Sequence, residues 1–193
     1  MFRTVVYLLI FSFGLAKELE IGMIMPKPDY LLNDISGKDL SLLDIKGENG
    51  TLVIFSCNTC PFVIQWEDRY VTIAEKYMPK GVGVIAVNSN ANRFDSVDSF
   101  EKMVKHAKKN KYNFPYAQDQ KSVLAKAFGA TKTPHIYLFD DENKLVYRGA
   151  IDDNSRAAKN VEEPYLINAL DQLLSKKSIQ KPISKAIGCS IKF

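Results

Sequence analysis

The stretch "TLVIFSCNTCPFV", residues 51 to 63, joins a continuous run of β-forming residues to two cysteines that stand two residues apart. A run such as "TLVIFS" is typical of a strand that is buried on both faces of a sheet. After the cysteines, apolar residues recur with the spacing of one helix face: Trp66, Tyr70, Ile73, Ala74 and Tyr77. The stretch therefore predicts a buried strand that leads into an amphipathic helix, with Cys57 and Cys60 at the junction.

The rest of the chain continues this alternation of strands and helices. The pattern predicts a strand at 82–88, a helix marked by Val97, Phe100, Val104 and Ala107, a short helix at 121–128, a hairpin at 136–150, and a last helix with Leu166, Ala169, Leu170 and Leu173. Lys105, His106 and Lys108 are expected on the solvent side of the second helix. We predict one α/β domain of thioredoxin-like layout, a central mixed and mostly parallel sheet with an antiparallel edge and helices on both faces.

The composition is that of an ordinary globular domain. The chain has 193 residues, of which 46% are hydrophobic and 25% charged, with a formal net charge of +4. Its lysines are spread through helical segments and form neither a basic cluster nor a nucleic-acid-binding motif. We expect a monomer that has no nucleic-acid partner.

The first sixteen residues have the layout of a secretory signal peptide. Arg3 gives a positive start, an apolar run covers 5–13, and small residues occupy positions 14 and 16. The run is shorter than the ~20 residues that a membrane span needs, so no stable membrane anchor is expected. The prediction is a cleaved signal peptide at 1–16, a domain at 19–193, and a periplasmic or secreted protein. An uncleaved anchor is the alternative.

The position of the cysteines predicts thiol–disulfide exchange. A helix that begins at or just after Cys57 would place unpaired N–H groups and the helix dipole beside its sulfur, and both favour a thiolate. Cys60 comes back within reach one turn later and is expected to be more buried. Cys57 is therefore predicted to attack a disulfide and Cys60 to resolve the mixed disulfide.

Three segments carry a family resemblance: "FSCNTCP" at 55–61, "TKTPHIYLFD" at 131–140 and "KLVYRGAIDD" at 144–153. Together they resemble the thioredoxin-like superfamily, and within it the redoxin branch related to alkyl hydroperoxide reductases and TlpA/ResA-type thioredoxins. The ending "IGCSIKF" also resembles tails of that branch. The resemblance implies an oxidoreductase that acts on protein thiols and disulfides without a cofactor. It also implies that Pro134 is cis and that Thr133 and Pro134 dock the partner chain beside Cys57.

Two departures from that family bear on the chemistry. Peroxidase members carry a threonine or serine three residues before the attacking cysteine and a proline seven before it, where this chain has Ile54 and Gly50. These departures count against hydroperoxide reduction, so a peroxiredoxin-like antioxidant is kept only as the second enzyme hypothesis. The strand before Cys57 also lacks the acidic residue that serves thioredoxins in proton transfer.

Metal binding is the non-enzyme alternative. A structural zinc site needs four ligands, and only Cys189, His106 and His135 could complete one with the cysteine pair. A copper-handling, metallochaperone-like module would use Cys57, Cys60 and His135. No metal is assigned to the site. For Cys189, an anchoring role in the tail is favoured over a second resolving thiol.

Overall fold

The computed structural model describes residues 17–193. The predicted signal peptide at 1–16 lies outside these residues and stays a prediction. The described chain forms nine strands and five α-helices: β1 (Leu32–Asp34), β2 (Asp39–Leu40), α1 (Leu42–Ile45), β3 (Gly50–Ser56), α2 (Pro61–Tyr77), β4 (Val82–Asn88), α3 (Phe100–Lys109), β5 (Tyr116–Gln118), α4 (Val123–Phe128), β6 (Lys132–Thr133), β7 (His135–Phe139), β8 (Leu145–Gly149), α5 (Tyr165–Leu174) and β9 (Cys189–Ser190).

Seven of these strands form one mixed sheet in the order β2-β1-β5-β4-β3-β7-β8. Its centre is parallel, since β4 pairs in parallel with both β3 and β5. The remaining pairs are antiparallel, so antiparallel strands flank the centre on both sides and not at one edge alone. The predicted α/β class and the mixed sheet are confirmed.

The two faces of the sheet are covered by different helices because successive strand residues point to opposite faces. On one face, Leu52 and Ile54 pack in a cluster with the apolar sides of α2, α3 and α5. On the other face, Val53 and Phe55 pack with α1 and α4. Every position of β3 is buried, as the run "TLVIFS" predicts for a strand at the centre of a sheet.

Two short elements of the fold are not predicted by the sequence patterns. Helix α1 has only four residues and depends on its cap: the Ser41 N–H donates to Asp44 Oδ2 at 2.8 Å, and the Asp44 N–H donates to Ser41 Oγ. Strand β5 has three residues, too few to show an alternation. It nevertheless joins β4 to β1 and so extends the sheet beyond the parallel centre.

The expected position of His106 on the solvent side of the second helix is wrong. Its side chain is only 13% exposed, and its Nε2 lies 2.7 Å from Oε2 of Glu67 on α2. The ring also packs edge-on against Tyr112. Helical periodicity predicts that a polar residue such as histidine faces the solvent. Here the Glu67 carboxylate on the neighbouring helix bonds to the ring, so His106 can lie in the interior.

The described helices also bear on membrane insertion. Within 17–193, none of them combines the length and the apolar character needed to cross a bilayer.

Candidate functional site

The cysteine pair lies where β3 leaves the sheet, but the helix starts later than predicted. Helix α2 begins at Pro61 and Cys60 is its N-cap residue, so Cys57 stands three residues before the cap. Proline is favoured at the first helical position because it has no N–H to leave unpaired. The predicted contrast of an exposed Cys57 and a buried Cys60 is also wrong, since Cys57 is 2% exposed and Cys60 is 4% exposed.

Thr133 contacts both cysteine sulfurs. Its hydroxyl oxygen lies 3.4 Å from Cys57 Sγ, and its carbonyl oxygen accepts the Cys60 S–H at 3.0 Å. The peptide bond from Thr133 to Pro134 is cis, as the resemblance implied. The structure thus brings Cys57, Cys60 and Thr133 together, with Pro134 next along the chain.

The two thiols titrate as a pair. The hydrogen bond between the sulfurs of Cys57 and Cys60 lowers the pKa for loss of the first proton and raises the pKa for loss of the second. Burial opposes the thiolate at both positions. The backbone N–H groups of Val63 and Cys189 stabilise a Cys60 anion, while the Thr133 hydroxyl and the Cys60 N–H stabilise a Cys57 anion.

An acidic residue lies beside the pair, although β3 contributes none. The Asp98 carboxylate is fully buried and accepts the Asn58 N–H at 2.9 Å and the side-chain amides of Asn88 and Asn90 at 3.0 and 2.9 Å. After the bond to Cys60 and burial, its charge is a further cause that raises the pKa of Cys57. The residues around Asp98 are mostly polar and predict an exposed loop. No sequence pattern there predicts that this carboxylate is buried.

His135 does not face the cysteines. It follows the alternation of β7 and shares a face with Tyr137, whose ring centroid lies 4.6 Å from its own. That face packs against α4, whereas Cys57 and Cys60 belong to the cluster on the opposite face. Burial lowers the pKa of His135 to about 4. The copper hypothesis therefore lacks its third ligand.

The rest of the described chain also holds no group of side chains that could bind a metal together. Residues 17–193 contain no cluster of three or more histidine, cysteine, aspartate and glutamate side chains arranged to hold a metal ion.

A cavity of about 280 Å³ opens beside the pair. Its wall includes the three cysteines together with Thr59, Arg93 and Lys192. Thr59 and Arg93 are exposed, so the cavity can be reached from solvent.

Comparison with known proteins places this geometry in a family. The family model described as Redoxin matches residues 22–164. The chain belongs to the redoxin family. The resemblance inferred from the cysteine pair and from Thr133-Pro134 is thereby confirmed.

Individual relatives agree with this membership. A "Thiol-disulfide oxidoreductase ResA" of Bacillus cereus is 26% identical over 136 residues, which are 69% of this chain and 72% of the relative. A crystal structure of an uncharacterised protein from Geobacillus kaustophilus matches with a TM-score of 0.83 and 38% identity over 90% of this chain and 92% of its own. A thioredoxin-like protein in its oxidised form matches at 0.64 with 20% identity over 82% and 99% of the two chains, which shows the shared fold.

The charge of Asp98 can be tested on Cys57 alone, in a Cys60→Ser background. Asp98→Asn should move the pH dependence of Cys57 alkylation to lower pH, because it removes a negative charge that raises the pKa of this thiol. Peptide mass spectrometry after pulses of iodoacetamide at a series of pH values measures the midpoint.

Asp95→Asn is the matched control for this experiment, since Asp95 is exposed on the same segment. It should leave the midpoint where it is. A midpoint that stays fixed or rises in Asp98→Asn would show that the Asp98 charge does not act on Cys57.

Proposed function

We propose that Cys57 and Cys60 exchange a dithiol for a disulfide with cysteines of partner proteins. The enzyme class is that of the family, a thioredoxin-like thiol–disulfide oxidoreductase. The observation that carries the proposal is the contact of both sulfurs with one residue, Thr133, inside a single solvent-accessible cavity. Two thiols at one accessible cavity provide the attacking and the resolving sulfur that exchange through a mixed disulfide requires.

The proposed reduction of a partner has two displacement steps. The Cys57 thiolate attacks one sulfur of the partner's disulfide, a mixed disulfide forms, and the other partner sulfur leaves as a thiolate. Cys60 then loses its proton and attacks Cys57 Sγ, which forms the Cys57–Cys60 disulfide and releases the second partner thiolate. The partner gains two electrons that the pair loses, and the same steps in reverse oxidise a dithiol partner.

The surroundings of each sulfur match these roles. The Thr133 carbonyl can only accept a hydrogen bond, so it holds Cys60 as a thiol while Cys57 faces the Thr133 hydroxyl as a donor. In the second step Cys60 must become the anion. Its place at the N-cap of α2, with the Val63 N–H directed at its sulfur, stabilises the charge at that stage.

No contact in the described residues supports the peroxidase alternative in the way that the Thr133 contacts support exchange. Ile54, at the position of the hydroxyl residue of peroxidases, is fully buried in the core cluster of β3. Its side chain offers no hydrogen bond to a peroxide. The peroxide-activating group that such chemistry requires is therefore not supplied from this position.

We also propose that the protein works outside the cytosol after cleavage at about residue 16, which leaves a mature chain that starts near Lys17 and contains the domain at 19–193. The support is the positive, apolar and small-residue order of the first sixteen residues. Partners would then be proteins of the periplasm or the exterior, where disulfides persist.

The export proposal predicts the N-terminus of the protein from its native host. Mass spectrometry should find a chain that starts near Lys17 in the extracytoplasmic fraction. Val6→Asp, which puts a charge in the apolar run, should retain the full chain in the cytosol. Wild-type protein with an intact Met1 in the cytosol would contradict the proposal.

The roles of the two sulfurs predict opposite results for two serine variants. Cys60→Ser should accumulate mixed disulfides with partner proteins, because Cys57 still attacks but no thiol resolves the product. Cys57→Ser should trap none, and both variants should lose nearly all reduction of insulin. Non-reducing electrophoresis after acid quenching measures the trapped species.

Two outcomes would overturn this assignment. Trapping by Cys57→Ser alone would make Cys60 the nucleophile. A wild-type Cys57 that reacts with hydrogen peroxide far faster than a free cysteine, with no trapping by Cys60→Ser, would replace exchange by the peroxiredoxin-like function.

A further inference from the structure

The C-terminal tail returns to the active site. Strand β9 pairs antiparallel with β6, and Cys189 lies opposite Thr133 in the register. The backbone of Thr133 is the edge at which the resemblance to thioredoxins places a partner chain. In this structure that edge is already paired with the protein's own tail.

Several contacts fix the tail in this position. The Ile191 side chain is buried, and its N–H donates to the Thr131 carbonyl at 3.0 Å. The Lys192 N–H donates to Asn90 Oδ1 at 2.8 Å. A Cβ at Gly188 would lie 2.2 Å from the Thr133 carbonyl oxygen, so only glycine lets the tail approach this closely. Cys189 is therefore held from both sides and is not on a frayed end.

Cys189 lies beside the redox pair. All three cysteines line the same cavity, and Cys189 packs against the cluster that contains Cys57 and Cys60. Thr133 connects the tail to the pair, because its carbonyl accepts the Cys60 S–H and its backbone lies opposite Cys189 in the register. None of the three is in a disulfide in this structure.

The charges around Cys189 act in both directions. Burial, followed by the hydrogen bond to Cys60, raises the pKa of Cys189 to about 11, while Lys132 and Lys192 favour its thiolate. When Cys60 forms a disulfide with Cys57, its sulfur can no longer be a thiolate that accepts the Cys189 S–H. The second cause of the raised pKa then disappears, and Cys189 becomes more acidic in the oxidised protein than in the reduced protein.

We propose that Cys189 is a third redox cysteine that takes over the disulfide from the pair. This step rests on the proposed function. The Cys189 thiolate attacks Cys60 Sγ, the Cys57–Cys60 bond breaks, a Cys60–Cys189 bond forms, and Cys57 leaves as a thiolate. The proton lost by Cys189 is balanced by the one that Cys57 takes up, and the oxidation level does not change.

The tail thereby acts as an internal partner. Its cysteine occupies the place of a partner cysteine opposite Thr133, and the transfer frees Cys57 while the protein stays oxidised. A protein in this state carries both a stored disulfide and a free attacking sulfur at the cavity. A two-cysteine enzyme of this fold has no such state.

The proposal is tested with the full chain in a Cys57→Ser background, oxidised with glutathione disulfide and then alkylated. Trypsin releases Cys60 within residues 47–69 and Cys189 within residues 186–192. Mass spectrometry should find these two peptides linked, and both thiols should lose their reactivity toward the alkylating agent together. In oxidised wild-type protein, a fraction of the chains should carry the same link and an alkylated Cys57.

The matched control moves the thiol out of the cavity wall, with Cys189→Ser and Ile187→Cys in the same background. Ile187 is exposed and is not part of the wall, so this thiol should link to Cys60 about tenfold more slowly or not at all.

Two results would overturn the proposal, and they differ from each other. If wild-type protein forms Cys57–Cys60 while Cys57→Ser keeps Cys60 and Cys189 free, or links no faster than the control, the tail thiol is not a redox cysteine and the proposed function stands. If wild-type protein forms no Cys57–Cys60 disulfide, the proposed function fails and this step fails with it.

Discussion

Thr133 is the residue on which the site depends, because it bonds to one sulfur through its hydroxyl and to the other through its carbonyl. The two thiols need different surroundings if one is to attack a partner and the other to resolve the mixed disulfide. Exposure to solvent does not supply this difference, because Cys57 and Cys60 are almost equally buried. A hydroxyl that can donate and a carbonyl that can only accept supply it within one residue.

The fold holds Thr133 and the cysteine pair in place from three directions. Strand β7, which follows Pro134, pairs with β3, so the end of β3 that leads to Cys57 lies beside the start of β7. On the cavity side, the buried Asp98 carboxylate fixes the backbone of Asn58 between the cysteines. At the edge, the tail closes over Thr133 through Cys189. The sheet, the polar network and the tail thus all contact the segments that carry Thr133 and the cysteine pair. The seven-stranded sheet provides the rigid support that a precise site requires.

The sequence predicts the parts of this arrangement that depend on local patterns. The apolar run 51–56 and the helical spacing from Trp66 to Tyr77 identify β3 and α2, because central strands and amphipathic helices impose periodicities of their own. Thr133 and Pro134 were found through the family resemblance. Helix α2 starts later than the cysteine motif predicts, because the proline just after Cys60 is the first helical residue.

What the sequence did not predict depends on contacts between distant segments. Asp98 and His106 look like ordinary polar residues of a loop and a helix, and only the fold reveals that each is buried against partners from other elements. The pairing of β9 with β6 joins residues more than fifty positions apart through two-residue strands, which are too short to show any period. Short strands and buried polar contacts form only when the rest of the fold brings their partners together. The position of Cys189 depends on one contact of each kind, the pairing of β9 with β6 and the bond from Lys192 to Asn90.

The central claim is that Cys57 and Cys60 form a reversible redox couple, and a titration of the full chain against glutathione redox buffers tests it most directly. The fraction of reduced Cys57 and Cys60, read by alkylation and mass spectrometry, should follow one two-electron transition in which a tenfold change in the ratio corresponds to about 30 mV. The midpoint of this transition should be the same whether the titration starts from the oxidised or from the reduced protein. Thiols of Cys57 and Cys60 that remain alkylatable at every ratio, or that oxidise only irreversibly to sulfinic acid, would contradict the account.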